Sequence, residues 1–447
     1  MSSFTKTINC GLIHILPDIQ LTGPDQSDMN TSFDKRKIFS WAFYDWANSG
    51  FATVVISGFF PVLFKEFWSL GAETTESTFR LGIANSVASL IVLLIAPILG
   101  AIADQGALKK RFLLVLAVIG ILATAWLGGI GQGLWLYAAI VYVIATIGFS
   151  GANVLYDALL IDVSPRNKFD SVSGIGFSFG YLGGGLLFAL CVVMSLKPQW
   201  FGLVDATQAV QAGFFITAIW WGVFSLPLFW YVHENKSQSV GFSAALSRGI
   251  AQLNRTFRDI GQYRAVIVFL IAYWLYIDGV DTIVRMAVDY GLSLGFTARD
   301  LITALLLVQF VGFPSALFFG WLGQRIGPKP GILLGLVVYT GITVWAFYIT
   351  EPWEFYGVAA SIGVVQGGVQ SLSRSLYARL IPQDSAAEFF GFYNFLGKFA
   401  AVIGPVLMGW VAITTGSTRL SILSILVLFV AGGLLLTRVK LPDWNTR

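Results

Sequence analysis

Long apolar runs follow one another from Ile38 to near the end of the chain, with short polar segments between them. Each run has roughly twenty residues, the length that a helix needs to cross the hydrocarbon core of a bilayer. The predicted spans lie near residues 38–64, 81–103, 112–131, 134–160, 172–196, 210–232, 265–289, 300–323, 331–350, 355–378, 389–413 and 418–437. The pattern predicts an all-α polytopic membrane protein with twelve transmembrane helices.

A polar segment at residues 233–263 separates the spans into two sets of six. We therefore expect four parts. These are an N-terminal tail over 1–37, a six-helix bundle over 38–232, a central loop over 233–263, and a second six-helix bundle with a short tail over 264–447. Met29 is an alternative start to Met1 and would leave a compact basic tail.

The two halves carry an internal repeat at an offset of 217 residues. The matched positions are Asn153 and Gln370, Asp157 and Arg374, Asp162 and Arg379, Pro165 and Pro382, Gly174 and Gly391, and Gly180 and Gly397. Similarity at a fixed offset indicates a duplicated unit, so we expect two pseudo-symmetric halves. The charged positions are acidic in the first copy and basic in the second.

The composition narrows the class of protein further. Hydrophobic residues make up 56% of the 447 residues and charged residues 12%, whereas soluble domains carry roughly 25% charged residues. The net charge of +4 is small and spread among loops, so it does not indicate a nucleic-acid-binding surface. Two cysteines and two histidines are too few for a Cys/His metal cluster, and we expect neither a metal nor a cofactor.

Basic residues are concentrated in alternate loops. The basic residues on the side of the N-terminus are Lys109, Lys110, Arg111, Arg166, Lys168, Arg248, Arg255, Arg258, Arg325, Lys329, Arg379, Arg438 and Lys440. Those on the other side are Lys65, Arg80, Lys197, Arg299 and Arg419. Because Lys-rich and Arg-rich loops stay in the cytoplasm, both termini and the central loop are predicted to be cytoplasmic.

Several polar and ionisable side chains fall inside predicted spans, where a charge that faces lipid is costly and usually functional. Asp45 and Asn48 share one face of the first span, and Asp278, Asp281 and Arg285 share one face of the seventh. Asp281 and Arg285 alternatively form a self-neutralising pair that only holds helices together. For Asp45 and Asp278, which have no such partner nearby in sequence, we favour a functional role.

The tenth and eleventh spans add further polar residues. Gln366, Gln370 and Arg374 follow one face of the tenth span, and the two glutamines are placed to line a pathway. In the eleventh span, Asn394 and Lys398 lie one turn apart. Lys398 is a candidate ligand for a substrate carboxylate.

Two turns between spans have related sequences. One begins at Gly100 and contains Asp104; the other begins at Gly320 and has Gln324 in place of the acid. This arrangement resembles the signature loop of the major facilitator superfamily, although the second glycine of the first copy comes one residue early. In that family the acid helps to latch the two halves on the cytoplasmic side, since a carboxylate suits a helix N-terminus or an arginine. The alternative is a tight turn whose cations set the topology.

A second group of charges lies towards the cytoplasmic ends of the spans. Arg374 is placed to pair with Asp157 or Asp162 of the other half. We predict a cytoplasmic gate formed by these residues together with Asp104 and Arg379. Alternatively, Arg374 extends towards lipid headgroups.

Three stretches together resemble the vacuole-effluxer-like branch of the major facilitator superfamily. They are Tyr44–Ser49, Tyr276–Thr282 and Gln366–Lys398, and the similarity extends from Trp41 to about Gly409. Fungal members of that family are associated with moving amino acids out of the vacuole during autophagy. The short central loop suits a bacterial member, so the resemblance implies the bacterial inner membrane.

The duplicated helices and this resemblance favour a secondary transporter that works by alternating access, with its pathway at the interface of the halves. The expected substrate is a small polar organic solute, and we favour amino acids. Asp45, Asp278 and Lys398 are predicted to line one central cavity. Protons are a candidate coupling ion, through Asp45 or Asp278, and a uniporter is equally compatible.

The alternatives are a lipid scramblase or a non-transporting membrane sensor on the same fold. An embedded enzyme is disfavoured because His14 and His233 lie outside the predicted helices. The expected partners are membrane lipid and the solute, and we expect a monomer.

Overall fold

The computed structural model describes residues 34–234, 242–399 and 403–440, and over these residues the chain forms helices and no β-strand. Most of the predicted N-terminal tail, with both candidate start residues, lies outside the described residues. The helices of the first half are α1 (Lys35–Trp68), α2 (Thr74–Asp104), α3 (Lys109–Leu127), α4 (Trp135–Val163), α5 (Phe169–Leu196) and α6 (Ala206–Tyr231). Short 3₁₀ turns, Arg166–Lys168 and Pro198–Phe201, flank α5.

The second half begins after a helix that connects the two halves. This connecting helix is α7 (Phe242–Arg258). The helices that follow are α8 (Arg264–Ser293), α9 (Ala298–Ile326), α10 (Pro328–Tyr348), α11 (Pro352–Leu380), α12 (Ala386–Phe399), α13 (Ile403–Thr415), α14 (Thr418–Leu423) and α15 (Leu426–Thr437). The 3₁₀ turns Ile260–Tyr263 and Gln383–Ser385 precede α8 and α12.

Helices occupy all twelve predicted positions. Within the described residues, ten of them are long and apolar enough to cross a membrane. The two that fall short are α11, whose mean hydropathy is lowered by its many polar side chains, and the eleventh predicted span, which consists of the shorter pieces α12 and α13. The prediction of an all-α polytopic membrane fold is confirmed.

The central loop contains a helix that the apolar pattern does not predict, because α7 is amphipathic rather than apolar. Ala245 and Gly249 are buried on one of its faces, whereas Arg248 and Arg255 are exposed on another. The buried face packs against α2. A polar segment can therefore still be ordered when one of its faces is covered.

The two halves contact each other through equivalent helix pairs. A Cβ on Gly174 of α5 would lie 2.7 Å from the carbonyl oxygen of Ala316 in α9, and a Cβ on Gly391 of α12 would lie 2.7 Å from Cα of Pro97 in α2. Gly174 and Gly391 are partners in the sequence repeat. The close helix approach that small residues permit is thus repeated on the two sides of the interface.

The bundle has two ends, an amino-terminal side and a distal side. The amino-terminal side is the end where α1 begins and α2, α4 and α11 end; the distal side is the end where α1 finishes and α11 begins.

Candidate functional site

Arg374 of α11 is at the centre of a buried polar network between the halves, and only 2% of its surface is exposed. Its Nη1 donates to Oδ1 of Asp157 at 3.0 Å, its Nε donates to Oγ of Ser173 at 2.9 Å, and its Nη2 donates to the Ser173 carbonyl at 3.0 Å. The guanidinium also lies 4.9 Å from the ring centroid of Trp41 and 4.3 Å from that of Phe177. The charge is thus paired, hydrogen-bonded and packed on aromatic faces, as a buried arginine requires.

Further side chains extend this network into α1 and α12. Oδ2 of Asp45 lies 3.7 Å from Nη1 of Arg374 and accepts a hydrogen bond from the Tyr156 hydroxyl at 3.2 Å. The second oxygen of Asp157 accepts from Nδ2 of Asn394 at 3.0 Å. Arg374 therefore holds two carboxylates of the first half together.

The contact between Arg374 and Asp157 joins equivalent positions of the repeat, 217 residues apart. Equivalent residues of two symmetric halves meet only close to the axis that relates the halves. The sequence offers Asp157 and Asp162 as partners for Arg374, and the structure brings it to Asp157.

A second charged cluster lies closer to the amino-terminal side. Nζ of Lys109 is 3.0 Å from Oδ2 of Asp162 and 3.6 Å from Oδ1 of Asp104. The oxygens of Asp104 accept from the backbone N–H groups of Ala387 and Glu388, at 3.0 and 2.9 Å, in the first turn of α12. A carboxylate of the first half thus caps a helix of the second half, at the end where the helix dipole favours negative charge.

Glu234 supports the same cluster from the end of the first half. Its carboxylate accepts from the backbone N–H groups of Lys109 and Lys110 at 3.1 and 2.9 Å. Burial raises the pKa of the Glu234 carboxyl, while these hydrogen bonds and the nearby Lys109 charge favour its ionised form.

Arg379 makes a third contact between the halves. Its Nη2 lies 2.5 Å from Oδ2 of Asp170 at the start of α5, and Ser375 donates to the other oxygen of Asp170. Asp162, the repeat partner of Arg379, is bound to Lys109 instead. Gln324, the counterpart of Asp104 in the second half, lies in the last turn of α9 and donates to the carbonyl of Asn167 at 2.6 Å.

A cavity of about 280 Å³ lies between the halves, on the distal side of the Arg374 network. Its polar lining from the first half consists of Asp45, Ser49, Thr53, Ser57 and Tyr181, and its polar lining from the second half consists of Tyr290, Gln309, Thr343, Gln366 and Gln370. Most of the remaining lining is apolar and comes from α8, α9, α10, α11 and α13.

Two hydrogen bonds cross from one half to the other at this cavity. Nε2 of Gln309 donates to Oγ1 of Thr53 at 3.1 Å, and the Tyr181 hydroxyl donates to Oε1 of Gln370 at 3.4 Å. Both glutamines are therefore held by side chains of the opposite half.

Some of the predicted pathway residues lie away from this cavity. Asn48 is buried and donates to the side-chain oxygen of Asn153. Asp278, with no exposed surface, accepts from the backbone N–H groups of Ile403 and Gly404 at 3.0 and 2.9 Å, and from Thr282 at 3.2 Å. It caps the start of α13 and is not among the described residues that line the cavity.

The remaining predicted residues lie on α8 and α12. Asp281 is partly buried on α8. The side chains of Arg285 and Lys398 lie outside the described residues, so their predicted roles stay predictions. Of the three residues predicted to share one cavity, the structure places Asp45 in its lining and Asp278 in the cap of α13.

Sequence reasoning missed one polar face. Asp45, Ser49, Thr53 and Ser57 follow one another at intervals of four residues and all line the cavity. Intervals of four keep side chains on one helical face, so this signal was available in the sequence. The contacts of Lys109 and Ser173 carried no comparable local signal.

Solved structures of similar architecture define the class of fold. The proton:xylose symporter XylE, a major facilitator superfamily protein bound to 6-bromo-6-deoxy-D-glucose, aligns with a TM-score of 0.69 at 13% identity, over 92% of this chain and 97% of its own. The major facilitator transporter FucP in its outward conformation aligns with a TM-score of 0.66 at 13% identity, over 91% and 99% of the two chains. The fold is that of the major facilitator superfamily.

Sequence comparison gives the family. The family described as "Vacuole effluxer Atg22 like" matches residues 70–443, and the chain belongs to it. The uncharacterized MFS-type transporter YxiO of Bacillus subtilis is 38% identical, over 90% of this chain and 94% of its own. Autophagy-related protein 22 of Eremothecium gossypii is 24% identical, over 92% of each chain. The protein is a multi-pass membrane protein of a transporter family.

Proposed function

We propose that this protein is a secondary transporter that carries small polar organic solutes, amino acids foremost, across a bacterial plasma membrane by alternating access. The observation that carries the proposal is a cavity between two repeated halves, next to a charged network that joins those halves on one side. Alternating access requires a site that is exposed first on one side and then on the other.

The charged residues on the amino-terminal side have the properties of a gate. Arg374 with Asp157, Arg379 with Asp170, and Asp104 with the start of α12 each join one half to the other. Opening that side would separate all three contacts. With both termini in the cytoplasm, the gate formed by Asp104, Asp157, Asp162, Arg374 and Arg379 would be cytoplasmic and the cavity would belong to an outward-facing state.

The cavity favours a small solute. Its volume of about 280 Å³ lies just below the roughly 300–1,000 Å³ that is typical of small-molecule sites. Amino acids fit this size, and the family's description as a vacuole effluxer is in keeping with the transport of a solute. Lys398 remains our candidate for a substrate carboxylate.

Asp45 is the favoured site for a coupled proton. It lines the cavity and also lies 3.7 Å from Arg374, so its carboxylate is close to both the solute site and the gate. Protonation would weaken its attraction to Arg374 and could thereby link solute binding to gate opening. A uniporter would use the same gate without this step.

Uptake into proteoliposomes tests the proposal. Purified protein is reconstituted and supplied with a panel of radiolabelled amino acids, peptides and sugars, with and without an inward proton gradient. We expect saturable uptake of at least one amino acid, and loss of that uptake in the Arg374→Ala variant. Movement of fluorescent lipid between leaflets without any solute uptake would refute the proposal in favour of a scramblase. Absence of both activities would refute it in favour of a sensor.

A further inference from the structure

The polar face of α1 changes its helical geometry where it meets the cavity. The segment Phe51–Phe59 is π-helical, and the N–H of Phe60 donates to the carbonyl of Val55, five residues earlier. Such π segments are rare and are frequently found at functional sites. Thr53 and Ser57 lie in this segment and line the cavity together with Ser49.

One glutamine of the second half differs from the two others at the cavity. Gln309 and Gln370 form hydrogen bonds with the first half. Gln366 also lines the cavity, but its Oε1 is buried and has no hydrogen-bond partner among the residues that the structure describes. A buried acceptor without a donor is destabilising and therefore needs an explanation, and a ligand that donates to it would supply one.

The rest of the lining from the second half is largely apolar, and its two hydroxyls, those of Tyr290 and Thr343, already donate to the backbone carbonyls of Ala346 and Tyr339. Met286 of α8, Leu301 of α9, Ile342 of α10 and Phe355 of α11 contribute to it. A solute with hydroxyls on every side would leave several of them facing these side chains, where each would lose its hydrogen bonds to water without a replacement. The cavity thus offers polar partners to one part of a solute and apolar surface to the rest.

From these features we infer that Gln366, Ser49 and Thr53 form the subsite for the head group of an amphipathic solute. The head donates a hydrogen bond to the Gln366 carboxamide, which turns about its last side-chain bond to accept it. The apolar body of the solute packs against Met286 and Phe355. This inference rests on the proposed function, because it assigns the residues that select the transported solute.

A series of ligands separates the head from the body. Norleucine has an ammonium donor and a four-carbon apolar chain, hexanoate lacks the donor, glycine lacks the chain, and xylose carries hydroxyls throughout. Binding to purified protein is measured by calorimetry. We expect norleucine to bind at least tenfold more tightly than each of the other three, the factor that corresponds to the loss of one buried hydrogen bond or of a few buried methylenes.

Variants of Gln366 test the role of its acceptor. Gln366→Leu should weaken norleucine binding by roughly tenfold and leave hexanoate binding unchanged. Gln366→Glu, which keeps an acceptor, should bind norleucine at least as tightly as the wild type. Gln211→Leu is the matched control, because Gln211 donates to the Ile130 carbonyl and does not line the cavity. It should bind as the wild type does.

The possible results separate this inference from the proposed function. Equal binding of norleucine and hexanoate, tight binding of xylose, or unchanged norleucine binding in Gln366→Leu would each overturn the subsite. If norleucine does not bind but another amino acid is taken up by proteoliposomes, the subsite is wrong and the transport function stands. A Gln366→Leu protein that melts below the wild type is judged by the Gln366→Glu variant, whose loss of norleucine binding would also overturn the subsite.

Discussion

Replacing Arg374 with alanine would leave two carboxylates facing each other in a buried site. Asp157 lies 3.0 Å and Asp45 3.7 Å from the guanidinium nitrogen that would be lost, and both hydrogen bonds to Ser173 would be lost with it. Removal of one partner from a buried ion pair costs about 3–5 kcal/mol, because the other charge remains buried and unpaired. We expect Arg374→Ala to lose stability in this range and to lose transport.

Removal of the other partner, Asp157, should cost less stability. In Asp157→Ala, Arg374 keeps Asp45 and both contacts with Ser173. Two hydrogen bonds to the carboxylate are lost, but Asn394 still donates to the Phe390 carbonyl. The bond from Arg374 joins two charged groups and sets the main loss, about 1.5–3 kcal/mol. The charge-swapped protein, Arg374→Asp with Asp157→Arg, restores one pair and should recover about 1–3 kcal/mol of coupling. Its stability will stay below that of the wild type, because the hydrogen bonds of Ser173 to Arg374 and of Asn394 to Asp157 are not restored.

The assay combines melting temperature in detergent, followed by tryptophan fluorescence, with solute uptake by the same preparations. Arg325→Ala is the matched control, because Arg325 is exposed and its guanidinium lies 5.7 Å from the Trp321 ring centroid. Its effect should stay within about 0.5 kcal/mol. If the charge-swapped protein is no more stable and transports no better than the single variants, the pair is not the gate contact that we assign.

The orientation, the cap of α12 and the two membrane acids Asp45 and Asp278 can each be tested. Reporter fusions after Lys440 should report a cytoplasmic location, and an external location would refute the orientation. Asp104→Ala should destabilise the closed amino-terminal side by about 0.5–2 kcal/mol, because it removes the cap of α12; unchanged accessibility of cysteines placed on that side would contradict this. Asp278→Leu should lower the melting temperature, since the backbone donors of α13 lose their acceptor, whereas Asp45→Asn should flatten the pH dependence of uptake. An altered pH profile of uptake in Asp278→Asn, at an unchanged melting temperature, would show that Asp278 carries the proton and does not serve as a helix cap.

Features of the fold can be predicted from the sequence where residues recur at a regular interval. Runs of apolar residues locate the helices, and the offset of 217 residues brings Asp157 to Arg374. Intervals of four residues from Asp45 to Ser57 mark one face of α1. The offset reflects the duplication of one unit. The apolar runs and the intervals of four reflect regular helical geometry, which depends little on what surrounds the helix.

Partners set by tertiary contacts could not be predicted in this way. Asp278 lacks a nearby partner in sequence and is nevertheless satisfied, because its partners are backbone N–H groups more than a hundred residues away. Lys109 forms an ion pair with Asp162 within the first half, and no motif in the sequence links the two residues. An acid inside a membrane helix therefore identifies a buried polar contact, and the structure is needed to decide whether that contact serves a solute or a helix end.

The opposite charges of Asp157 and Arg374 have a physical reason in the duplication itself. A residue close to the axis that relates two halves meets its own counterpart, so an acid retained in both copies would place two buried carboxylates together. Opposite charges turn the same meeting into an attraction. Asp162 and Arg379 also differ in charge, but they bind Lys109 and Asp170 instead of each other. A charge reversal between repeats thus predicts a direct contact only for residues near the axis. A contact near the axis joins equivalent positions of the two halves. Such a pair breaks when the halves separate on its side, which is why Arg374, and not the capping acid Asp278, is the residue on which we place the gate.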